Sequence, residues 1–140
     1  PRVADPGSAI VAVAHQLDIQ VGLLTGPSSL LLALMASGFN GQNFCFSGYL
    51  PSDKALRVKK IKELERTAYE KDQTQLFIET PYRNLQMLES LTSACNDKTM
   101  LCIACDVTGE HESITAKPIW AWKKLKPDIN KKPVIFLIYH

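Results

Sequence analysis

Cysteine is scarce in this chain. Among 140 residues there are four, Cys45, Cys95, Cys102 and Cys105. They build no disulfide framework, and that absence favours a reducing cytoplasm. Only Cys102 and Cys105 stand at the Cys-x-x-Cys spacing of a metal or redox pair, and no second pair or His-x-x-x-His completes a zinc site. The run MLCIACDV reads as a strand, so the two thiols are expected on opposite faces, as buried packing residues rather than ligands. No metal is expected. Long apolar runs are also missing, so no segment can cross a bilayer as a helix and no membrane partner is expected. The opening PRVADPGSAI has neither the basic nor the apolar region of a signal peptide. Internal repeats and low-complexity tracts are absent. The net charge of +2 is mild, permitting a nucleic-acid or phosphate partner without demanding one.

What is present is ordinary globular material: 46% hydrophobic and 21% charged residues, enough for one real core. The first stretch, PRVADPG, is a turn-rich connector with nothing before it to connect, and we read the chain as part of a longer protein. Ser8 is a candidate N-cap for a helix over SAIVAVAHQL, IQVGLL reads as a short strand, and Gly26-Pro27-Ser28-Ser29 turns into an apolar helix closed by Gly38. This helix-strand-helix order is that of α/β proteins. FNGQN is a loop and a candidate domain boundary, which separates residues 1–43 from residues 44–140.

Beyond it, FCFSGYLP alternates like a strand and stops at Pro51. Residues 52–72 are expected to form an amphipathic helix with Leu56, Ile61, Leu64 and Ala68 on its apolar face. Lys54, Arg57, Lys59, Lys60, Lys62 and Arg66 are interleaved there with Glu63, Glu65 and Glu70. A solvated face is the ordinary meaning of such a run, and a phosphate-contacting patch the sharper one. QTQLFIE is a strand, and the helix after it should bury Leu85, Leu88 and Leu91. KTMLCIACDVT and KKPVIFLIYH are further strands, with a short strand and a helix between them.

Chemistry is expected at the strand-to-helix junctions. LFIETPYR ends an apolar strand in Glu79, Thr80, Pro81 and Arg83. Thr80 can cap and Pro81 suits the first helical position, so the helix's free amides face the carboxyl end of the sheet, where open α/β sheets bind ligands. Glu79 could accept from a ligand amine or hydroxyl, and Arg83 could clamp a carboxylate or phosphate. The plainer alternative is an ion pair between the two. Gly26-Pro27-Ser28 is a second junction of the same kind, where glycine permits close approach. His15, His111, His140, Trp120 and Trp122 show no spacing that builds a site.

Five motifs occur in order: Pro1 to Gly7 (Pro-x-x-x-Asp-Pro-Gly), Gly26-Pro27-Ser28 before a helix ending Ser37-Gly38, Phe44 to Pro51, Glu79 to Arg83, and Thr108 to Glu112. Their order resembles the ribosomal RNA small subunit methyltransferase I group of the tetrapyrrole methylase family, across essentially the whole chain. The resemblance implies an S-adenosylmethionine-dependent methyltransferase of two α/β domains with the cofactor in the cleft between them. Residues 44–140 would be a C-terminal αβα domain with a mixed sheet flanked by helices, and residues 1–43 the last helix-strand-helix of an incomplete N-terminal domain. Asp5, Gly7, Gly26, Pro27, Ser28, Ser29, Glu79, Thr80 and Arg83 would line the cofactor cleft. Glu79 is the carboxylate named as catalytic base. Lys54, Arg57, Lys59 and Lys60 would hold phosphates of the ribosomal RNA in the small ribosomal subunit, whose cytidine 2′-hydroxyl is the implied acceptor. A homodimer is also expected. Two departures stand out: the family's Thr-Lys-x-x-Glu is Thr108-Gly109-Glu110-His111-Glu112 here, and its frequent Pro-His-Arg is Pro81-Tyr82-Arg83. The family's first glycine-rich loop and early strands have no counterpart. A tetrapyrrole methylase and a cofactor-free RNA-binding module are the competing readings.

Overall fold

A computed structural model describes residues 7–21 and 28–140. One mixed sheet organises them, in the order β1-β2-β5-β3-β4. The strands are β1 (Phe44–Tyr49), β2 (Thr74–Ile78), β3 (Met100–Cys105), β4 (Ser113–Pro118) and β5 (Val134–Tyr139). β1 pairs parallel with β2, and the other three pairings are antiparallel. β1, β2 and β3 therefore run in one direction, and their carboxyl ends meet at one end of the sheet.

Helices cover both faces. On one lie α3 (Lys54–Lys71), α4 (Asn84–Ala94) and the single turn α5 (Ile119–Trp122). They bury Ile61, Leu64, Met87, Leu91 and Ile119 against Phe77, Leu101 and Phe136, and the two Phe rings stack at 5.8 Å. On the other face α2 (Ser29–Ser37) packs Ala33 and Leu34 onto Leu76, Cys102 and Leu137. Gly38, at φ 75°, closes α2 in the left-handed conformation expected of it. α1 (Ser8–Gln16) buries none of its residues, and Gly7 rather than Ser8 stands at its N-cap. Residues 19–21 form no strand, and the rest of the strand expected over IQVGLL lies outside the described residues.

The amphipathic helix forms, capped by Asp53, whose carboxylate accepts from the Leu56 N–H at 3.0 Å. Its buried face differs from the one expected. Leu56 is 57% exposed and Arg57 only 5%. Arg57, Ile61, Leu64 and Ala68 follow one another at spacings of four, three and four, which is one helical stripe; Leu56 is off it. Likewise α4 buries Asn84, Met87, Leu88 and Leu91 and leaves Leu85 exposed. Thr80 precedes a 3-10 turn, Pro81–Arg83, before α4 begins, and its side chain makes no capping bond.

The segment 39–43 is a loop, as expected, but it is tied down. Asn40 Nδ2 donates to the Asp72 carbonyl at 2.8 Å, Asn43 Nδ2 to the Lys71 carbonyl at 2.9 Å, and Thr74 Oγ1 to the Asn40 carbonyl at 2.9 Å. Cys102 and Cys105 do face opposite sides of the sheet, one in each core. Burial pushes the Cys102 thiol up to about 12 and raises Cys105 as well, so neither is a thiolate at neutral pH. No helix among the described residues is long and apolar enough to cross a membrane.

Candidate functional site

The convergence of three strand ends makes a cavity of about 400 Å³. Its floor is a cross-strand row on the α2 face: Ile78 pairs with Ile135, and Ile135 with Ala104. Its polar wall comes from residues at or just beyond the strand ends. Glu79 comes directly after β2, Asp106 lies just past β3, and Tyr49 is the last residue of β1. Ser29, the first residue of α2, lines the same cavity. A side chain beyond the last ladder bond of a strand is no longer confined to the sheet's own pairing and can face a ligand.

Glu79 is 7% exposed. Its Oε1 accepts the Thr80 N–H at 2.7 Å and lies 3.4 Å from the Thr80 hydroxyl, while Oε2 has no partner among the described residues. Asp106 adopts φ 49°, a left-handed conformation that Asp tolerates. Its Oδ2 accepts the His111 N–H at 3.0 Å, and its own N–H donates to the Pro133 carbonyl at 2.9 Å. The loop from Thr108 to Glu112 closes on itself, with the Thr108 N–H on Glu112 Oε1 at 2.8 Å. A Cβ on Gly109 would lie 2.2 Å from the Asp106 carboxylate, so the bare glycine makes room for the acid. Tyr49 reaches the rim through a register shift between Phe46 and Tyr49, where Gly48 takes φ 67°.

Of the residues singled out from the sequence, the structure brings Ser29 and Glu79 to one cavity, with Pro81 beside them. Thr80 touches it only through its bonds to Glu79. Arg83 is exposed, lines no part of this cavity, and makes no ion pair with Glu79 among the described residues. Gly7 and Ser28 also lie outside the lining. Asp5, Gly26 and Pro27 fall outside the described residues. Tyr49 and Asp106 were missed. Both obey the rule that picked out Glu79, a polar residue ending an apolar run: Asp106 comes after MLCIAC, and Tyr49 closes FCFSG.

The basic helix divides. Arg57 points inward, its Nε donating to Ser90 Oγ at 2.9 Å and one terminal nitrogen to the Ser52 carbonyl at 2.8 Å. That guanidinium ties α3 to α4 and is not free for phosphate, which corrects its place among the RNA contacts. Lys54 and Lys59 are exposed, and half-buried Lys60 lies 3.9 Å from Glu63.

The fold, a mixed sheet flanked by helices, has a counterpart among solved structures. It matches the crystal structure of the methyltransferase CobJ with a TM-score of 0.57 at 19% identity, over 95% of this chain and 56% of that one. The resemblance carried by the motifs holds in sequence: the chain is a relative of the proteins named ribosomal RNA small subunit methyltransferase I. It is 28% identical to that of Haemophilus influenzae, over 99% of this chain and 48% of the relative. It is 32% identical to that of Buchnera aphidicola subsp. Acyrthosiphon pisum, over 99% of this chain and 49% of the relative. The chain thus spans about half the length of the curated relatives it matches. No family model matches it.

Proposed function

We propose that the chain works as part of an S-adenosylmethionine-dependent methyltransferase acting on small-subunit ribosomal RNA in the cytoplasm, with a cytidine ribose 2′-hydroxyl as acceptor. The observation that carries this reading is that Ser29, which directly follows the Gly26-Pro27-Ser28 motif, and Glu79, from the Glu79 to Arg83 motif, line one cavity at the carboxyl ends of β1, β2 and β3. Its volume of about 400 Å³ lies in the ordinary range for small-ligand sites. An apolar floor with two carboxylates and no cation suits a ligand that carries positive charge, hydroxyl donors and a flat ring. The residues present therefore fit S-adenosylmethionine, with Glu79, Asp106, Tyr49 and Ser29 as the groups that would hold it. When bound, it supplies an electrophilic methyl group on a sulfonium.

The chain's own contribution is positioning and proton handling. The Thr80 N–H holds Glu79 Oε1 and leaves Oε2 to accept, either from a ligand donor or as general base toward the acceptor hydroxyl. The His111 N–H fixes Asp106 in the same way. The Ile78, Ile135 and Ala104 row keeps water from the floor. Apolar side chains that α1 and α2 leave in solvent, Ile10, Leu31 and Met35 among them, support the expectation of a homodimer.

The test is calorimetric titration with S-adenosylhomocysteine, on the 140-residue chain and on the chain joined to the amino-terminal half of a curated relative. Weak or absent binding is expected for the first and clear binding for the second, and Glu79→Gln should weaken the latter at least about tenfold, the loss of one charge-assisted bond. No binding by either protein would discard the reading.

A further inference from the structure

A second cleft, of about 460 Å³, lies on the α5 side of the same strand end. Its inner wall is apolar, formed by Ile103, Trp122, Leu125 and Ile129. Its outer wall is the edge strand. On the core face of β3, Leu101, Ile103 and Cys105 are buried; across the ladder β4 answers them with Lys117, Thr115 and Ser113. Three alternate residues of one strand share a face, so a polar row borders the apolar core directly. α5 is one turn long and does not cover it.

The cleft's charge is one-sided. Lys117, Lys126, Lys132 and His111 line it, against Asp128 alone. Asp128 is paired with Lys132 at 2.9 Å, whereas Lys117 and Lys126 have no ion-pair partner among the described residues. The wall that bears these groups is held in place. Asn84, fully buried, donates from Nδ2 to the carbonyls of Ile129 and Lys132 at 2.9 and 2.7 Å. The Lys131 N–H donates to the Pro81 carbonyl at 3.0 Å, and Trp122 Nε1 fixes α5 to the Leu101 carbonyl at 2.8 Å. A preformed recess with an apolar wall, hydroxyls opposite and two free cations matches an unstacked nucleotide: the base against the apolar wall, the sugar by Thr115 and Ser113, the phosphates on Lys117 and Lys126.

We infer that this cleft is a single-stranded RNA contact, holding a nucleotide of the substrate on the face of the sheet opposite the Glu79 cavity. The inference rests on the proposed RNA substrate but not on methyl transfer. Ile103 and Cys105 line one cleft, while Ala104 and Asp106, alternating with them along the chain, line the other. Lys132 lines the first and its neighbour Pro133 the second. An RNA strand seated by Lys117 and Lys126 would thus pass around the strand end that carries the candidate chemistry.

Fluorescence anisotropy of a labelled single-stranded oligocytidylate RNA decamer, titrated with the 140-residue chain at several salt concentrations, tests this. Lys117→Ala/Lys126→Ala should weaken binding at least about tenfold and flatten the slope of log K against log salt by about 0.7 for each lost contact. Lys117→Arg/Lys126→Arg should restore it, and the parent should prefer the single strand to a duplex of the same length. Parent-like binding by the double alanine variant, a larger effect of Lys59→Ala/Lys60→Ala, no preference for the single strand, or no RNA binding by the parent would each overturn the proposal. Calorimetry with S-adenosylhomocysteine on the longer protein, with and without Lys117→Ala/Lys126→Ala, separates the two readings. Unchanged cofactor affinity beside lost RNA affinity supports both. Lost RNA affinity where the parent never binds S-adenosylhomocysteine keeps the RNA cleft and removes the methyltransferase.

Discussion

The two clefts are set back to back on β3 and differ in nearly every physical respect. One faces α2, has two carboxylates and no cation; the other faces α5 and has three lysines and one acid. The faces that carry them differ as well. The α3, α4 and α5 side buries a large core with Phe77, Phe136 and Trp122 in it, whereas the α2 side rests on one nine-residue helix and a smaller cluster. A two-sided sheet lets neighbouring residues of one strand serve opposite electrostatic ends, because alternation sends odd and even positions apart. The difference teaches that the faces divide the work unequally: the thick face holds most of the buried core and still leaves the basic cleft at its margin, and the thin face carries the acidic cavity.

The inequality can be broken by truncating each face. Phe77→Ala removes a fully buried ring stacked on Phe136, and it should cost about 3–5 kcal/mol in denaturant unfolding. Leu34→Ala, on α2, should cost about 2 kcal/mol, the low end for a leucine, because the one helix above it can settle into the space. Equal losses would show that α2 is as integral as the opposite layer.

Next in size is Arg57→Ala. The guanidinium bridges Ser52 and Ser90, and its removal should cost about 2–3 kcal/mol by leaving a gap and an unpaired Ser90 hydroxyl between α3 and α4. Lys59→Ala, on the exposed side of the same helix, should stay within about 0.5 kcal/mol. The same pair sharpens the functional comparison: neither change is expected to alter RNA binding as Lys117→Ala/Lys126→Ala does.

Smaller still, and aimed at the acidic cleft through a loop whose His111 also borders the basic one, is Gly109→Ala. The new methyl would meet the Asp106 carboxylate, which must swing away and release the His111 N–H, a loss of about 1 kcal/mol. Affinity for S-adenosylhomocysteine should fall in the longer protein while RNA affinity stays put. A fall in both would mean that the two clefts are mechanically one.

The sequence made most elements legible because β2, β3 and β5 are largely apolar runs bounded by turn residues, and α3 and α4 carry helical periodicity, whereas β4 is a mixed polar stretch. It hid which stripe of each helix turns inward. At Arg57 and Asn84 a polar residue occupies a core position because specific partners, Ser90 and Ser52 for one and two loop carbonyls for the other, hold it there. No local pattern announces such partners. Glu79 was legible as a charge at the end of a buried run, and Asp106 carried the same signal unrecognised. The RNA cleft was not legible, since Lys117 and Lys126 come from different elements and read as scattered surface charge until the ladder places Lys117 beside the core.

The far end of the sheet offers the weakest effect and a control for all the others. There Asp72, at the C-cap of α3, takes hydrogen bonds from the Tyr139 hydroxyl and from His140 Nε2, the latter at 2.7 Å. The Tyr139 bond first, and then the His140 bond and charge, hold the Asp72 carboxyl below its ordinary value. A carboxylate depressed in the folded state adds stability that is present above its unfolded pKa and is lost as pH falls through the lower folded value. Asp72→Asn should therefore lower Tm slightly at pH 7, and the gap to the parent should close as pH drops below the ordinary carboxylate range. The site is exposed, so salt should shrink the gap as well. Because Asp72 sits at the amino end of β2, away from both clefts, neither ligand's affinity should follow its titration. A binding curve that moved with Asp72 would mean that the two ends of the sheet are coupled, and the separation of stability from ligand handling would fail at its simplest point.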